Sequence, residues 1–166
     1  MLTAEGRTVT PKVVPVLKEV LIRYDRLNGI LNFPGDWGER AFRGWLVLDV
    51  LHGVLGWPSE RIVLGERFDI LLLDDRETPA VNIETKKPRH TASPAEQRDF
   101  IDRLGDYGTL QWAYLTNGWD WTRIELLAPR GVQEVLSTAK FSLSRAARAD
   151  AFFGPLHARR YCSDLP

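Results

Sequence analysis

The sequence contains a single cysteine, Cys162, and has no excess of charge of either sign. One cysteine excludes an intrachain disulfide framework and a cysteine-rich zinc site. The 22 basic and 22 acidic side chains give a formal net charge of zero. This balance excludes a strongly basic coat for binding nucleic acid, although it leaves room for a local basic patch.

Long apolar runs are also missing. No stretch reaches the roughly 18 apolar residues that a membrane-spanning helix needs. The N-terminus lacks the charged start and apolar segment of a signal peptide. We therefore expect a soluble, cytoplasmic protein without a membrane partner. The 166 residues, 44% of them apolar, are typical of one globular domain, with or without an appendage.

The hydrophobic pattern predicts two helices at the start of the chain. Apolar residues at helical spacing indicate a first helix that begins near Thr10 and ends at Asn28-Gly29. A second helix is expected to begin after Asp36 and to end at Gly56. Three short strands should follow, with the sequences "RIVL", "ERFDILLLDD" and "AVNIETKK".

The second half of the chain predicts a helix, a hairpin and a less regular tail. Ser93 followed by Pro94 is typical of a helix start. Asn117-Gly118 between two apolar runs indicates a β-hairpin. A helix is expected near 144–153. The order of elements predicts an α/β domain whose mixed sheet includes one parallel step.

Two acidic positions in the predicted strands suggest chemistry. Asp69 lies in an apolar run, where a charge is costly to bury unless it is paired or metal-bound. Glu84 and Lys86 are two residues apart on the third strand, so they share a face with Asn82. If the second and third strands pair, Asp69 and Glu84 approach each other and can bind a hard cation such as Mg²⁺. A neighbouring lysine can orient water or stabilise charge on a phosphate.

A plainer interpretation stays open for each residue taken alone. A Glu-x-Lys pair on a strand usually forms a solvated face with a partner on the neighbouring strand. A single aspartate in an apolar run is an equally weak signal. The two features together, on adjacent predicted strands after an acidic helix start, favour a site.

The ordered set of motifs resembles the PD-(D/E)XK nuclease superfamily. The resemblance extends from Glu39 to about Leu127, and within the superfamily it is greatest to the N-terminal nuclease domain of type I restriction subunits and of fused restriction–methylation enzymes. Five stretches support it: "GDWGERAFRGWLVLDVLHGVLGWP" with Glu39, "RFDILLLDD" with Asp69, "AVNIETKKP", the helix that contains Gln97, and "YLTNGWDWTRIELL".

The resemblance implies a restriction-endonuclease-like core, a central mixed β-sheet flanked by helices. It divides the chain into an N-terminal helical extension (1–30), a nuclease core (31–130) and a C-terminal extension expected to be helical (131–166). It also implies a role for each matched residue: Asp69 and Glu84 as metal ligands, the backbone carbonyl of Thr85 as a further ligand, Glu39 as the helix carboxylate that completes the site, Lys86 as the catalytic lysine, and Gln97 as the helix glutamine.

The sequence departs from the family pattern at two places. Phe100 and Ile101 stand where a tyrosine follows the family's glutamine, and Phe68 stands where the superfamily name has proline.

The expected function is that of a Mg²⁺-dependent endonuclease, with Mn²⁺ as an alternative metal, that hydrolyses DNA in restriction or phage defence. The alternative is an inactive nuclease-like domain that binds nucleic acid or a partner protein. A structural domain with a fortuitous Glu-x-Lys is a third interpretation. The residues alone do not separate DNA from RNA as the substrate.

The balanced charge of the chain suggests that the protein relies on another domain or subunit to recognise a DNA sequence. Residues 1–83 have ten basic and twelve acidic side chains, and residues 84–166 have twelve and ten. No recognition helix or zinc module is visible. One basic group could hold backbone phosphates or could be an ordinary helix face balanced by Glu96, Asp99 and Asp102; it comprises Lys87, Arg89, His90, Arg98 and Arg103. A second group gives the tail a basic bias and could contact DNA or a neighbouring domain; it comprises Arg145, Arg148, Arg159 and Arg160.

Overall fold

The computed structural model describes residues 13–127 and 134–165 and confirms the α/β fold with a mixed sheet. The strands are β1 (Ile62–Leu64), β2 (Ile70–Leu73), β3 (Pro79–Thr85), β4 (Trp112–Thr116), β5 (Asp120–Leu127) and β6 (Glu134–Ser142). The helices are α1 (Val13–Leu31), α2 (Trp37–Trp45), α3 (Pro94–Leu104) and α4 (Ala149–Phe153). A π-helical segment (Leu46–His52) continues α2, and short 3₁₀ turns lie at Ser59–Arg61, Leu143–Arg145, Gly154–Leu156 and Ala158–Arg160.

The described strands lie in chain order, β1 to β6, and among them β3 and β4 form the parallel pair while the other neighbours are antiparallel. The predicted parallel step is therefore confirmed. Helix α3 makes the crossover between β3 and β4, as a parallel connection requires. The consequence for the site is that the C-terminal end of β3 lies beside the C-terminal end of β4, where Thr85 pairs with Thr116.

Helices cover both faces of the sheet, and the sheet separates the core into two clusters. The larger cluster packs α1, α2 and the C-terminal segment against one face, to which Val81 and Ile83 of β3 contribute their side chains. The smaller cluster packs α3 against the other face through Phe100 and Leu104. Alternation along β3 thus sends Asn82 and Glu84 towards α3, as the period of two requires.

The first helix ends slightly later than the pattern suggested. The start expected at Thr10 lies outside the described residues, and the helix runs on past Asn28-Gly29 to Leu31. Asn32 adopts a left-handed conformation (φ 45°) directly after it, which is a common way to end a helix. The side chain of Asn28 accepts a hydrogen bond from the backbone N–H of Phe33 (3.1 Å).

The C-terminal segment differs from the expected helical extension. Residues 134–142 form β6, which pairs with β5 along its length, before the short helix α4. The β-branched residues Val135 and Thr138 suit a strand, and an open edge at β5 gives the segment backbone partners. Phe152 and Phe153 of α4 belong to the larger core cluster, so this segment is part of the same domain core.

The hairpin between β4 and β5 turns where the sequence predicted. The Asn117 side chain accepts hydrogen bonds from the backbone N–H groups of Trp119 (3.0 Å) and Asp120 (2.8 Å). Gly118 has φ +89°, and a Cβ there would lie 2.7 Å from Leu21 of α1. Glycine is required both by this backbone conformation and by the close approach of α1. No helix in the described ranges is long and apolar enough to cross a membrane.

Candidate functional site

The pairing of β2 with β3 brings Asp69 and Glu84 together. Ile70 pairs with Ile83 in this antiparallel ladder, so Asp69, one residue before β2, lies opposite Glu84. Both carboxylates are thereby placed at the same end of the sheet. The approach of these two residues, expected if the second and third strands pair, follows directly from the register of the hairpin.

Asp69 is held firmly by Thr85 and Arg43. Its Oδ2 accepts hydrogen bonds from the backbone N–H (2.7 Å) and the hydroxyl (2.8 Å) of Thr85. Its Oδ1 lies 2.6 Å from the Arg43 guanidinium. Burial and the nearby Glu84 carboxylate raise the pKa of Asp69 above its ordinary value, while Thr85 and Arg43 act in the opposite direction. Asp69 is therefore oriented, and its charge is set by the balance among these neighbours.

Helix α2 supplies Glu39 and Arg43 to the same place. The two side chains are one helical turn apart and form an ion pair of 2.9 Å. Arg43 also donates from Nε to the Thr85 hydroxyl (3.0 Å). Burial, followed by the Asp69 carboxylate, raises the pKa of Glu39. Arg43 thus bridges Glu39 and Asp69, and the structure places Glu39 with the carboxylate pair.

Glu84 is surrounded by positive charge on the α3 side of the sheet. Its Oε1 accepts hydrogen bonds from Lys86 Nζ (3.2 Å) and from Arg103 Nη2 of α3 (2.9 Å). The Glu84 side chain is 8% exposed. The backbone N–H of Lys86 donates to the carbonyl of Thr116 (2.7 Å), which fixes the chain just after β3. Lys86 is therefore positioned both through its backbone and through its ammonium group.

Gln97 of α3 contacts the segment that leads into its own helix. Its side-chain amide donates to the carbonyl of Ala92 (3.0 Å). It lines a cavity that Lys86 also lines, so the two residues face the same space. The role that the family resemblance implies for Gln97 stays a prediction.

Two further residues of the site received little or no role in the prediction from sequence. Arg43 was missed, although its position four residues after Glu39 is a readable signal for an ion pair on a helix. For Asn82, the sequence predicted only that its side chain shares a face of the third strand with Glu84. Its Oδ1 is buried and has no hydrogen-bond partner in the part of the chain that the structure describes. It shares a small cavity of about 10 Å³ with Glu84 and Arg103, a volume of about one water molecule.

The predicted basic stretch is largely paired with acids. Arg103 contacts Glu84, Arg89 lies 2.8 Å from Asp25, and the His90 ring lies 3.1 Å from Glu96. These contacts favour the interpretation of a balanced surface for these three side chains.

The carboxylates of this cluster are suitable ligands for a hard cation, but the Arg43 guanidinium already contacts two of them. Carboxylate oxygens are the ligands that Mg²⁺ prefers. Across residues 13–127 and 134–165, no three His, Cys, Asp or Glu side chains form a ready-made metal site. Arg43 instead lies between Glu39 and Asp69 as a stand-in cation. The cluster therefore accommodates positive charge at this point.

Comparisons of the chain with protein families, with curated proteins and with solved structures found no significant match.

Proposed function

We propose that this protein is a divalent-metal-dependent nuclease that hydrolyses phosphodiester bonds in DNA. The observation that supports it most is the convergence of Glu39 of α2, Asp69 just before β2, Glu84 of β3 and Lys86 just after β3 on one end of the sheet. Partly buried carboxyls with a raised pKa, here Glu39 and Asp69, next to an ordered lysine form an arrangement typical of functional sites.

Each residue has a distinct part in this proposal. Asp69 and Glu84 would hold the metal, with Glu39 completing the acidic site. Mg²⁺ or Mn²⁺ held there would supply positive charge for the phosphate and a more acidic water molecule. Lys86, oriented by Glu84, donates to a phosphate oxygen or to the attacking water. Thr85 keeps Asp69 in place through its two hydrogen bonds.

A specific set of ion pairs favours a second candidate function. Arg43 neutralises Glu39 and Asp69, and Lys86 and Arg103 neutralise Glu84, so the cluster is balanced without a metal. A domain with such a cluster can bind nucleic acid or a partner protein without cutting it.

The proposal includes a partner. The formal net charge is zero, whereas proteins that bind DNA tightly use several phosphate contacts from Lys and Arg. We therefore propose that sequence recognition comes from another domain or subunit, in a restriction or phage-defence system in the cytoplasm.

The test is cleavage of plasmid and single-stranded circular DNA with Mg²⁺, with Mn²⁺ and with EDTA. We expect metal-dependent nicking that falls at least about 100-fold in Glu84→Gln and in Lys86→Met. Lys18→Met, at an exposed lysine of α1, is the matched control and should cut normally. Circular dichroism and thermal melting verify that each variant is folded.

The outcomes separate the two candidate functions. Undiminished cleavage by folded Glu84→Gln protein rejects the assignment of the site. DNA binding without cleavage under every metal condition rejects the nuclease and supports the binding domain.

A further inference from the structure

A cavity of about 480 Å³ opens beside Lys86. One wall is the segment that leads into α3, with His90 and Gln97, and the other is formed by the β4–β5 hairpin and the end of β6. The volume is within the roughly 300–1,000 Å³ that small-molecule pockets have. It is large enough for a ligand, and one end of it reaches the candidate site.

The lining of the cavity combines apolar and polar groups. Leu115 of β4 and Ala92 belong to the core cluster on the α3 face of the sheet and supply apolar lining. Thr122, which pairs with Leu115, and Gln97 of α3 add hydrogen-bonding groups. Apolar lining next to hydrogen-bonding groups suits a nucleobase, which has an apolar face and a polar edge.

Two exposed cations stand at the mouth of the cavity. They are Lys140 of β6 and Arg145 of the following 3₁₀ turn, and both line the cavity. Within residues 13–127 and 134–165, neither forms an ion pair, in contrast to Lys86, which is paired with Glu84. Asp120 is the one carboxylate among the described residues that line this cavity. The mouth therefore has positive charge available for a phosphate.

We infer that this cavity binds one nucleotide of a single-stranded nucleic acid, with its backbone between Lys86 and the Lys140–Arg145 pair. The inference rests on the proposed function, since it places that nucleotide next to the phosphate at Lys86. A base in a duplex would have to leave the stack before it could enter this open-sided cavity. The cavity thus selects single strands or melted ends over intact duplex.

The test measures binding without cleavage. The full chain in EDTA is titrated into a fluorescein-labelled 12-nucleotide single strand and into the matched duplex, with fluorescence anisotropy as the readout. The wild-type chain should bind the single strand more tightly than the duplex. The double variant Lys140→Ala, Arg145→Ala should bind the single strand about tenfold more weakly. Its plot of log affinity against log salt should be shallower by about 1.4, because each phosphate that is no longer neutralised reduces the slope by about 0.7.

The control removes the same charge elsewhere. Arg26→Ala, Arg76→Ala changes two exposed arginines, one on α1 and one in the β2–β3 turn, and neither of them lines the cavity. This variant should bind as the wild type does.

Each result either supports or overturns the inference. Equal affinities of the two double variants, or a preference for duplex, overturn it. Because no metal is present, the binding result is independent of cleavage. The expected binding together with no cleavage in Mg²⁺ or Mn²⁺ would keep the cavity and reject the nuclease. Cleavage by the wild-type chain, together with unchanged binding by the Lys140→Ala, Arg145→Ala variant, would keep the nuclease and reject the cavity as a binding site.

Discussion

Arg43 decides the electrostatics of the carboxylate cluster at the scale of single residues. Its guanidinium contacts Glu39 (2.9 Å), Asp69 (2.6 Å) and the Thr85 hydroxyl (3.0 Å). It therefore stabilises the cluster without metal and competes with any metal that binds there. These contacts compensate the charge of Asp69, which would otherwise be costly to bury.

Replacing Arg43 with methionine should separate these two effects. We expect Arg43→Met to bind Mn²⁺ more tightly than the wild type, because the competing cation is gone. We also expect it to be less stable by about 1–3 kcal/mol, because Asp69 is deprived of a buried partner. Isothermal titration calorimetry gives the affinity, and urea unfolding gives the free energy of unfolding.

Arg40→Met is the matched control for Arg43→Met. Arg40 lies on the same helix but is exposed and pairs with the exposed Asp36. Its substitution should change neither quantity appreciably. Weaker Mn²⁺ binding by folded Arg43→Met protein would contradict the view that Arg43 competes with metal.

At the scale of elements, the start of α3 is fixed by local chemistry. The Ser93 hydroxyl accepts a hydrogen bond from the Glu96 N–H (3.2 Å), and the Glu96 carboxylate accepts one from the Ser93 N–H (2.7 Å). This helix start was readable from the sequence, with Pro94 at the first helical position. The hydrogen bond from the Ser93 backbone N–H, followed by one with the His90 ring, lowers the pKa of Glu96 to about 2.

The lowered pKa predicts a pH-dependent contribution of Glu96 to stability. The ionised carboxylate stabilises the folded state above the ordinary pKa of 4.5, and this contribution is lost as the pH falls towards 2. Glu96→Gln should therefore unfold at lower urea concentration than the wild type at about pH 5, with a smaller difference at about pH 2.5.

Glu66→Gln is the control for this pH series. Glu66 is exposed, and it has no hydrogen-bond or ion-pair partner among residues 13–127 and 134–165. Glu66→Gln and the wild type should unfold at nearly the same urea concentration at both values of pH. If the difference in urea concentration between Glu96→Gln and the wild type grew as the pH was lowered, ionised Glu96 would not be what stabilises the start of α3.

At the scale of the whole molecule, the C-terminal segment completes the core. Phe153 is fully buried and contacts Trp121 of β5 and Phe141 of β6, with ring centroids 5.1 Å away in each case. The indole of Trp57, which follows the second helical region, donates to the carbonyl of Leu156 (2.8 Å). These contacts join residues that are far apart in the sequence into one core.

Truncating Phe153 should therefore destabilise the entire domain. Phe153→Ala is expected to lower the free energy of unfolding by about 3–5 kcal/mol, the usual cost of removing a buried phenylalanine. Leu136→Ala is the control, because Leu136 is 52% exposed on β6 and should cost little. Urea unfolding followed by circular dichroism measures both. A small destabilisation in Phe153→Ala would indicate that the segment folds as a separate appendage.

Local patterns alone were enough to predict most of the fold. Apolar spacing predicted α1 and α2, the run of three short apolar segments predicted β1 to β3, and Asn117-Gly118 predicted the β4–β5 hairpin. The crossover helix predicted the parallel step between β3 and β4. These signals are local: a period, a cap or a turn is contained within a few neighbouring residues.

The carboxylates of the site were readable for the same reason. Glu84 and Lys86 share a face because they are two residues apart, and the hairpin register places Asp69 opposite Glu84. Arg103, in contrast, reaches Glu84 because α3 packs on that face of the sheet, which no local pattern reveals.

Tertiary structure decided what depends on distant neighbours. Residues 134–142 became a strand because β5 offered a free edge, which the weak local pattern of that segment does not reveal. Arg43 became the bridge between Glu39 and Asp69 because α2 packs beside the end of β2. The cavity at Lys86 exists because β6 lies beside the β4–β5 hairpin in the sheet and the residues around the start of α3 face them. Each is a contact between segments far apart in sequence, and such contacts are set by packing of the whole chain.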